Sequence, residues 1–149
     1  MNAYADTGFL VTLYKEESTS ARASALMARL TSPLRLSLLG ELEFRNALHL
    51  AVFQGELTPR QATLKKRLFQ EDLANGIFAL MPVPASAFFA KASELADRHS
   101  MRLGTRSLDL MHVAAALLLE TDTFFSFDER QRKAAKAEGL KVLPREAVR

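Results

Sequence analysis

YADTGFLVTLY, residues 4–14, sets one carboxylate, Asp6, between a short apolar strand and a helix. Burying an ionised carboxylate without a partner is very costly, so Asp6 at this junction requires compensation from elsewhere in the chain. The same reading makes residues 2–15 a strand followed directly by a helix. Whether that unit recurs decides the fold.

It recurs along the whole chain. STSARASALMARL (18–30) reads as a helix with its cap among Ser18 to Ser20. PLRLSLL (33–39) is a strand, and GELEFRNALHLAVFQG (40–55) is an amphipathic helix closed by Gly55. TPRQATLKKRLFQEDLANG (58–76) has Thr58 as N-cap, Pro59 at the first helical position and Gly76 as its stop. IFALM (77–81) is a buried strand, followed by helices over 84–100 and 106–120, the second capped by Thr105 or Ser107. DTFFSF (122–127) is a strand, DERQRKAAKAEG (128–139) a polar helix, and LKVLP (140–144) a last strand. Continuously apolar strands alternating with helices predict a parallel sheet covered on both faces, an α/β fold in three layers. With 149 residues and neither repeat nor linker-like stretch, residues 1–149 are expected to form a single domain.

Composition narrows the function classes. Hydrophobic residues make up 48% and charged residues 25%, an ordinary globular balance. No apolar run approaches the ~20 residues of a membrane span, and the N-terminus lacks a signal-peptide layout. The absence of cysteine removes disulfides and thiolate metal sites and fits a reducing, cytoplasmic setting. A net charge of +3 is compatible with an anionic partner such as RNA.

Catalytic groups of open α/β sheets gather at the carboxyl ends of the strands. Asp6 and Asp128 end strands, Glu41 and Glu43 follow the second strand, and Asp109 starts the most apolar helix. Asp109 shares a helix face with His112, Val113 and Ala116, so it lies over the apolar stripe, either as a capping acid or as a functional one. Glu41 and Glu43 point about 200° apart at roughly 100° per residue. Glu41 has Arg45 at i+4, a surface pair, whereas Glu43 has Asn46, Ala47 and Leu50 on its side and is the better candidate to face inward. Asp128 alone reads as an N-cap. Several carboxylates in one cleft repel one another unless a cation compensates them. Mg²⁺ or Mn²⁺, which take oxygen ligands, suit that need, while histidines scattered at 49, 99 and 112 do not suggest zinc. A carboxylate-held divalent ion beside a phosphodiester supports hydrolysis.

Four segments, YADTGFL (4–10), LSLLGELEFRNAL (36–48), GTRSLDLMHVAAAL (104–117) and FFSFDERQRKAAKAEGLKVLP (124–144), together resemble PIN-domain ribonucleases, specifically the VapC-type toxins of bacterial toxin–antitoxin pairs. They follow the family's order and span nearly the whole chain. The resemblance implies a PIN-like parallel sheet between helices. It also implies Mg²⁺- or Mn²⁺-dependent endoribonuclease activity, a homodimer and a cognate antitoxin that inhibits the enzyme. Carried over by residue, it points to Asp6, Glu43, Asp109 and Asp128 as catalytic acids, with Asp6, Asp109 and Asp128 holding metal. Glu41 replaces Glu43 if the register shifts. Thr7 and Ser126 match supporting hydroxyl residues.

Other residues carry weaker signals. Arg102, Arg106 and Arg130 lie near the acidic edge and could bind phosphate or simply be solvated. His112 reads mainly as a satisfied core histidine. His49 and His99 read as surface or partly buried, and Lys65, Lys66 and Arg67 as a solvated face. Phe88 and Phe89 read as core or dimer interface. A rival function is a non-catalytic PIN-like interaction module in which the acids are caps. A phosphatase of the haloacid-dehalogenase type needs a second Asp two residues after the first, where this chain has Gly8.

Overall fold

The computed structural model describes residues 1–145. The elements run β1 (Ala3–Ala5), α1 (Thr7–Thr12), α2 (Ser20–Met27), β2 (Leu34–Ser37), α3 (Leu38–Phe53), α4 (Pro59–Ala74), β3 (Phe78–Met81), α5 (Ala85–Leu103), α6 (Ser107–Leu118), β4 (Thr123–Phe125), α7 (Glu129–Ala137) and β5 (Lys141–Leu143). All five strands pair in parallel, in the order β3-β2-β1-β4-β5. The chain therefore winds outward from β1 in one direction through β2 and β3, then returns to add β4 and β5 on the other side. The order reverses between β1 and β4, and the carboxyl edge at such a reversal is where open α/β sheets bind ligands.

The strands alternate their side chains between two cores. Ala3, Ala5 and Phe125 point into one, with Phe9, Leu34, Leu36, Phe44, Phe69 and Phe78. Tyr4 and Phe124 point into the other, with Leu95, Leu110, Val113, Ala134 and Ala135. Helices α1–α4 supply the first core and α5–α7 the second, which makes the three layers. The alanine run 114–116 is fully buried and brings α6 close against its neighbours.

Local signals account for most boundaries. Thr58 and Gln61 cap α4 reciprocally, with Pro59 at its start. Two boundaries differ from expectation. α3 begins at Leu38, not Gly40, because Ser37 at the end of β2 caps it directly by accepting from the Gly40 N–H at 3.2 Å. Glu43 therefore lies in the second turn, and only Glu41 in the first. Neither Thr105 nor Ser107 caps α6. Thr105 is hydrogen-bonded to Ser100, and the extended residue before the helix is Arg106, whose backbone N–H is taken by the Asp109 carboxylate at 3.0 Å.

Two side-chain expectations also change. His99 is buried, bonded to Glu138 at 2.6 Å, because α5 packs against the end of α7. Glu41 forms no ion pair with Arg45 among the described residues. Phe88 is core, and Phe89, 64% exposed, keeps only the interface half of its reading. No helix among the described residues is long and apolar enough to cross a membrane.

Candidate active site

Asp6 follows β1 and is 2% exposed. Its Oδ1 accepts the Phe9 N–H at 2.8 Å and so caps α1, while its Oδ2 accepts from the Ser126 hydroxyl beyond the end of β4. The two strands that flank the order reversal are thus joined through this carboxylate. Burial pushes the Asp6 carboxyl above its ordinary value, and neighbouring Asp128 adds to the rise. His112, the Ser126 bond and the Phe9 N–H oppose it without cancelling it. Asp6 is the electrostatically strained acid that its sequence position suggests.

A cleft of about 370 Å³ opens beside it, lined among others by Thr7, Glu43, Arg106, Asp109, His112 and Gln131. Gly8 also lines the cleft, and a Cβ there would lie 3.7 Å from Asp6 Oδ1, so the Asp6 carboxylate stands directly behind the cleft wall. Glu43, not Glu41, faces the cleft. Its Oε1 accepts from the Thr7 hydroxyl at 2.7 Å and from His112 Nε2 at 2.5 Å. Burial alone raises the Glu43 carboxyl, but the His112 bond and charge together with the Thr7 bond outweigh it and hold Glu43 below its ordinary value.

His112 is more than core packing. A carboxylate at Nε2 requires a proton on that nitrogen, so His112 donates to Glu43. A hydrogen-bonded chain follows: the Gly40 N–H donates to Ser37 Oγ, the Ser37 and Tyr4 hydroxyls share a bond, the Tyr4 hydroxyl meets His112 Nδ1 at 2.7 Å, and His112 Nε2 donates to Glu43. Burial pushes the Tyr4 phenol far up, so it stays protonated. Tyr4→Phe leaves the buried Nδ1 unsatisfied, and a loss of about 1–3 kcal/mol in denaturant unfolding is expected. An unchanged midpoint would mean that the chain contributes nothing.

The remaining expected residues divide. Asp109 lines the cleft. Its Oδ2 accepts from the Arg106 N–H and from Arg106 Nε at 3.4 Å, and its Oδ1 from Gln131 Nε2 at 3.2 Å. Asp128 caps α7 through the Gln131 N–H at 2.9 Å, and its own N–H donates to Ser126 Oγ. Arg130 is exposed and outside the cleft, and Arg102 turns to His99 Nδ1.

Gln131 was not singled out by the sequence, since its run reads as polar. It is 9% exposed, and its Oε1 is the one buried side-chain polar atom without a hydrogen-bond partner among the described residues. An unpaired acceptor beside a cleft of carboxylates, in a chain without cysteine, matches the donor chemistry of a hard divalent cation. Among the described residues no three His, Asp or Glu side chains stand close enough to share one ion. Asp109 and Asp128 are instead drawn into helix starts.

Fold and site together define a doubly wound, all-parallel α/β protein with an acid-bearing cleft at its switch point. The chain belongs to the PIN domain family, whose model matches residues 3–137. A search of curated proteins finds no relative. Among solved structures, VapC20 of Mycobacterium tuberculosis, a sarcin-ricin loop cleaving toxin, is similar with a TM-score of 0.70 at 18% identity, covering 96% of this chain and 100% of that one. VapBC2 of Rickettsia felis, solved with a DNA fragment from their promoter, gives 0.67 at 14% identity, with both chains covered in full. FitAcB of Neisseria gonorrhoeae gives 0.63 at 19%, covering 94% and 95%. At these identities the likeness is one of fold.

Proposed function

We propose that this protein is a Mg²⁺- or Mn²⁺-dependent endoribonuclease toxin restrained by a cognate antitoxin. The observation that carries the reading is Asp6: an acid held by Ser126 across the sheet's switch point, raised by burial, behind a cleft that also presents Glu43 and Asp109. Membership of a nuclease domain family and the fold of an RNA-cleaving toxin support it.

Asp6 would hold the cation together with Asp109 and Asp128 once those two turn from the helix starts they close here, with the Gln131 oxygen as a further donor. When bound, a hard divalent cation supplies Lewis acidity at a phosphodiester. Glu43 stays ionised and is oriented by Thr7 and His112 through Oε1. Its Oε2 is left to take the proton of an attacking water. Arg106, whose side chain is 69% exposed at the cleft lip, would contact a phosphate. Exposed Leu38, Leu42, Leu50 and Phe53 on α3 offer an apolar surface of the kind that a protein partner covers, which suits an antitoxin and a homodimer.

Purified protein given mixed RNA should cut it with Mg²⁺ or Mn²⁺ and stop in excess chelator. Cleavage that persists in chelator sinks the metal-dependent mechanism. A second reading has its own support, because Asp109 and Asp128 already satisfy helix starts as caps. A PIN-like interaction module would cut no RNA and keep its melting temperature unchanged by Mn²⁺. Glu43→Gln should cost roughly a hundredfold or more in cleavage, the scale of general acid–base help, while Glu41→Gln stays near parental. The reverse pattern would move the site to Glu41.

A further inference from the structure

Positive charge gathers in a cleft away from the acidic one. A second cleft, of about 520 Å³, opens between α7 and β5, the strand at one end of the sheet. Arg132, Lys133, Lys136, Lys141 and Arg145 line it against a single carboxylate, Glu129. The whole chain has a net charge of only +3, so this one feature carries more positive charge than the molecule's entire excess. Lys133 and Lys136 are exposed and form no ion pair among the described residues. Among the described residues Lys141 forms no ion pair and feels Asp122 only at longer range.

The cleft is also wired to the candidate active site. Arg132 is 8% exposed, and its guanidinium donates to the Ser126 carbonyl at 2.8 Å, to the Arg145 carbonyl at 3.4 Å, and approaches Glu129 at 4.0 Å. Ser126 is the residue whose hydroxyl holds Asp6. Burial holds the Arg132 guanidinium below its ordinary value, Glu129 and Asp6 pull it back up, and Arg22 on α2 adds like charge. Arg132 is thus a built-in wall between the basic cleft and the acidic edge, while the three lysines face solvent.

We propose that the α7–β5 cleft is a phosphate track that holds a single-stranded stretch of the RNA flanking the scissile bond. A chain of phosphates needs spaced cations and no base-specific donors, which is what three solvent-facing lysines on one helix and one strand offer. The inference rests on the reading of the protein as a ribonuclease, but its test does not need cleavage. Lysines on an end strand also discourage edge-to-edge pairing. That role alone predicts no salt-dependent RNA affinity, so the same measurement separates the two.

RNA binding is measured in excess chelator over a series of salt concentrations, for the parent chain and for the triple variant Lys133→Gln, Lys136→Gln, Lys141→Gln. The slope of log affinity against log salt should fall by about 2, at roughly 0.7 per single-strand phosphate contact, and affinity near 0.1 M salt should drop tenfold or more. With metal present, KM should rise and kcat stay near parental. Circular dichroism and the melting midpoint check that the variant is folded, as expected for exposed lysines. An unchanged slope overturns the track even if the protein cuts RNA. A reduced slope in a protein that cuts nothing keeps the cleft as an RNA-binding site and removes the nuclease reading. Duplex DNA competing as strongly as single-stranded RNA overturns the assignment to a single-stranded track.

Discussion

Asp6→Asn should lose RNA cleavage by roughly a thousandfold or more, the scale of removing one preorganised charge-stabilising group, and yet fold more stably above neutral pH without metal. The two effects share a cause. The ionised carboxylate is 2% exposed and burial raises it above its ordinary 3.8. For an acid raised by folding, the unfolded chain releases its proton first, so stability falls as pH climbs from about 3.8 through the raised folded value, and the deficit is complete above it. Asparagine removes that deficit while its side-chain oxygen can still accept the Phe9 N–H that starts α1. One hydroxyl bond, from Ser126, is exchanged for an amide donor. Melting midpoints of both proteins in chelator, from pH 4 to 8, should converge at the acid end and separate toward pH 8 with the variant higher. Parallel curves would show that Asp6 carries no burial cost, and parental cleavage would remove it from the chemistry.

Asp6 was legible because a lone acid after an apolar strand conflicts with its surroundings; Glu43 faces the cleft although two of the neighbours expected to be inward, Asn46 and Leu50, are exposed. The twelve elements were legible for the related reason that continuous apolar strands and amphipathic helices have different periods. What stayed hidden depends on tertiary contact. Arg106 at the start of α6 has no short polar side chain to mark a cap, and the helix is closed instead by Asp109 reaching back from inside. Gln131 sits in a run that reads as solvated, and only the packing of α7 against α6 buries it. The role of His112 depends on Tyr4 and Ser37, residues more than 70 positions away. The basic cleft joins lysines of α7 and β5 that look, along the sequence, like ordinary surface charge.

Phe44→Ala should cost about 3–5 kcal/mol, the range for deleting a buried aromatic ring, and lower the melting midpoint by roughly 10 °C at about 2–4 °C per kcal/mol for a chain of this size. The ring is 1% exposed and packs against Phe69 with centroids 4.8 Å apart and against Tyr14 at 5.3 Å. It therefore joins α3 to α4 and to the end of α1, and its loss leaves a cavity that three separate elements would have to close. The neighbouring Glu43 points the other way, held by Thr7 and His112. Well below the new midpoint, cleavage per folded molecule should remain within a few-fold of the parent, the opposite pattern to Asp6→Asn. A loss under about 1 kcal/mol would mean that this site relaxes to fill the cavity. A large loss of cleavage in the still-folded variant would mean that Glu43 is positioned by the packing of α3 and not by its own hydrogen bonds.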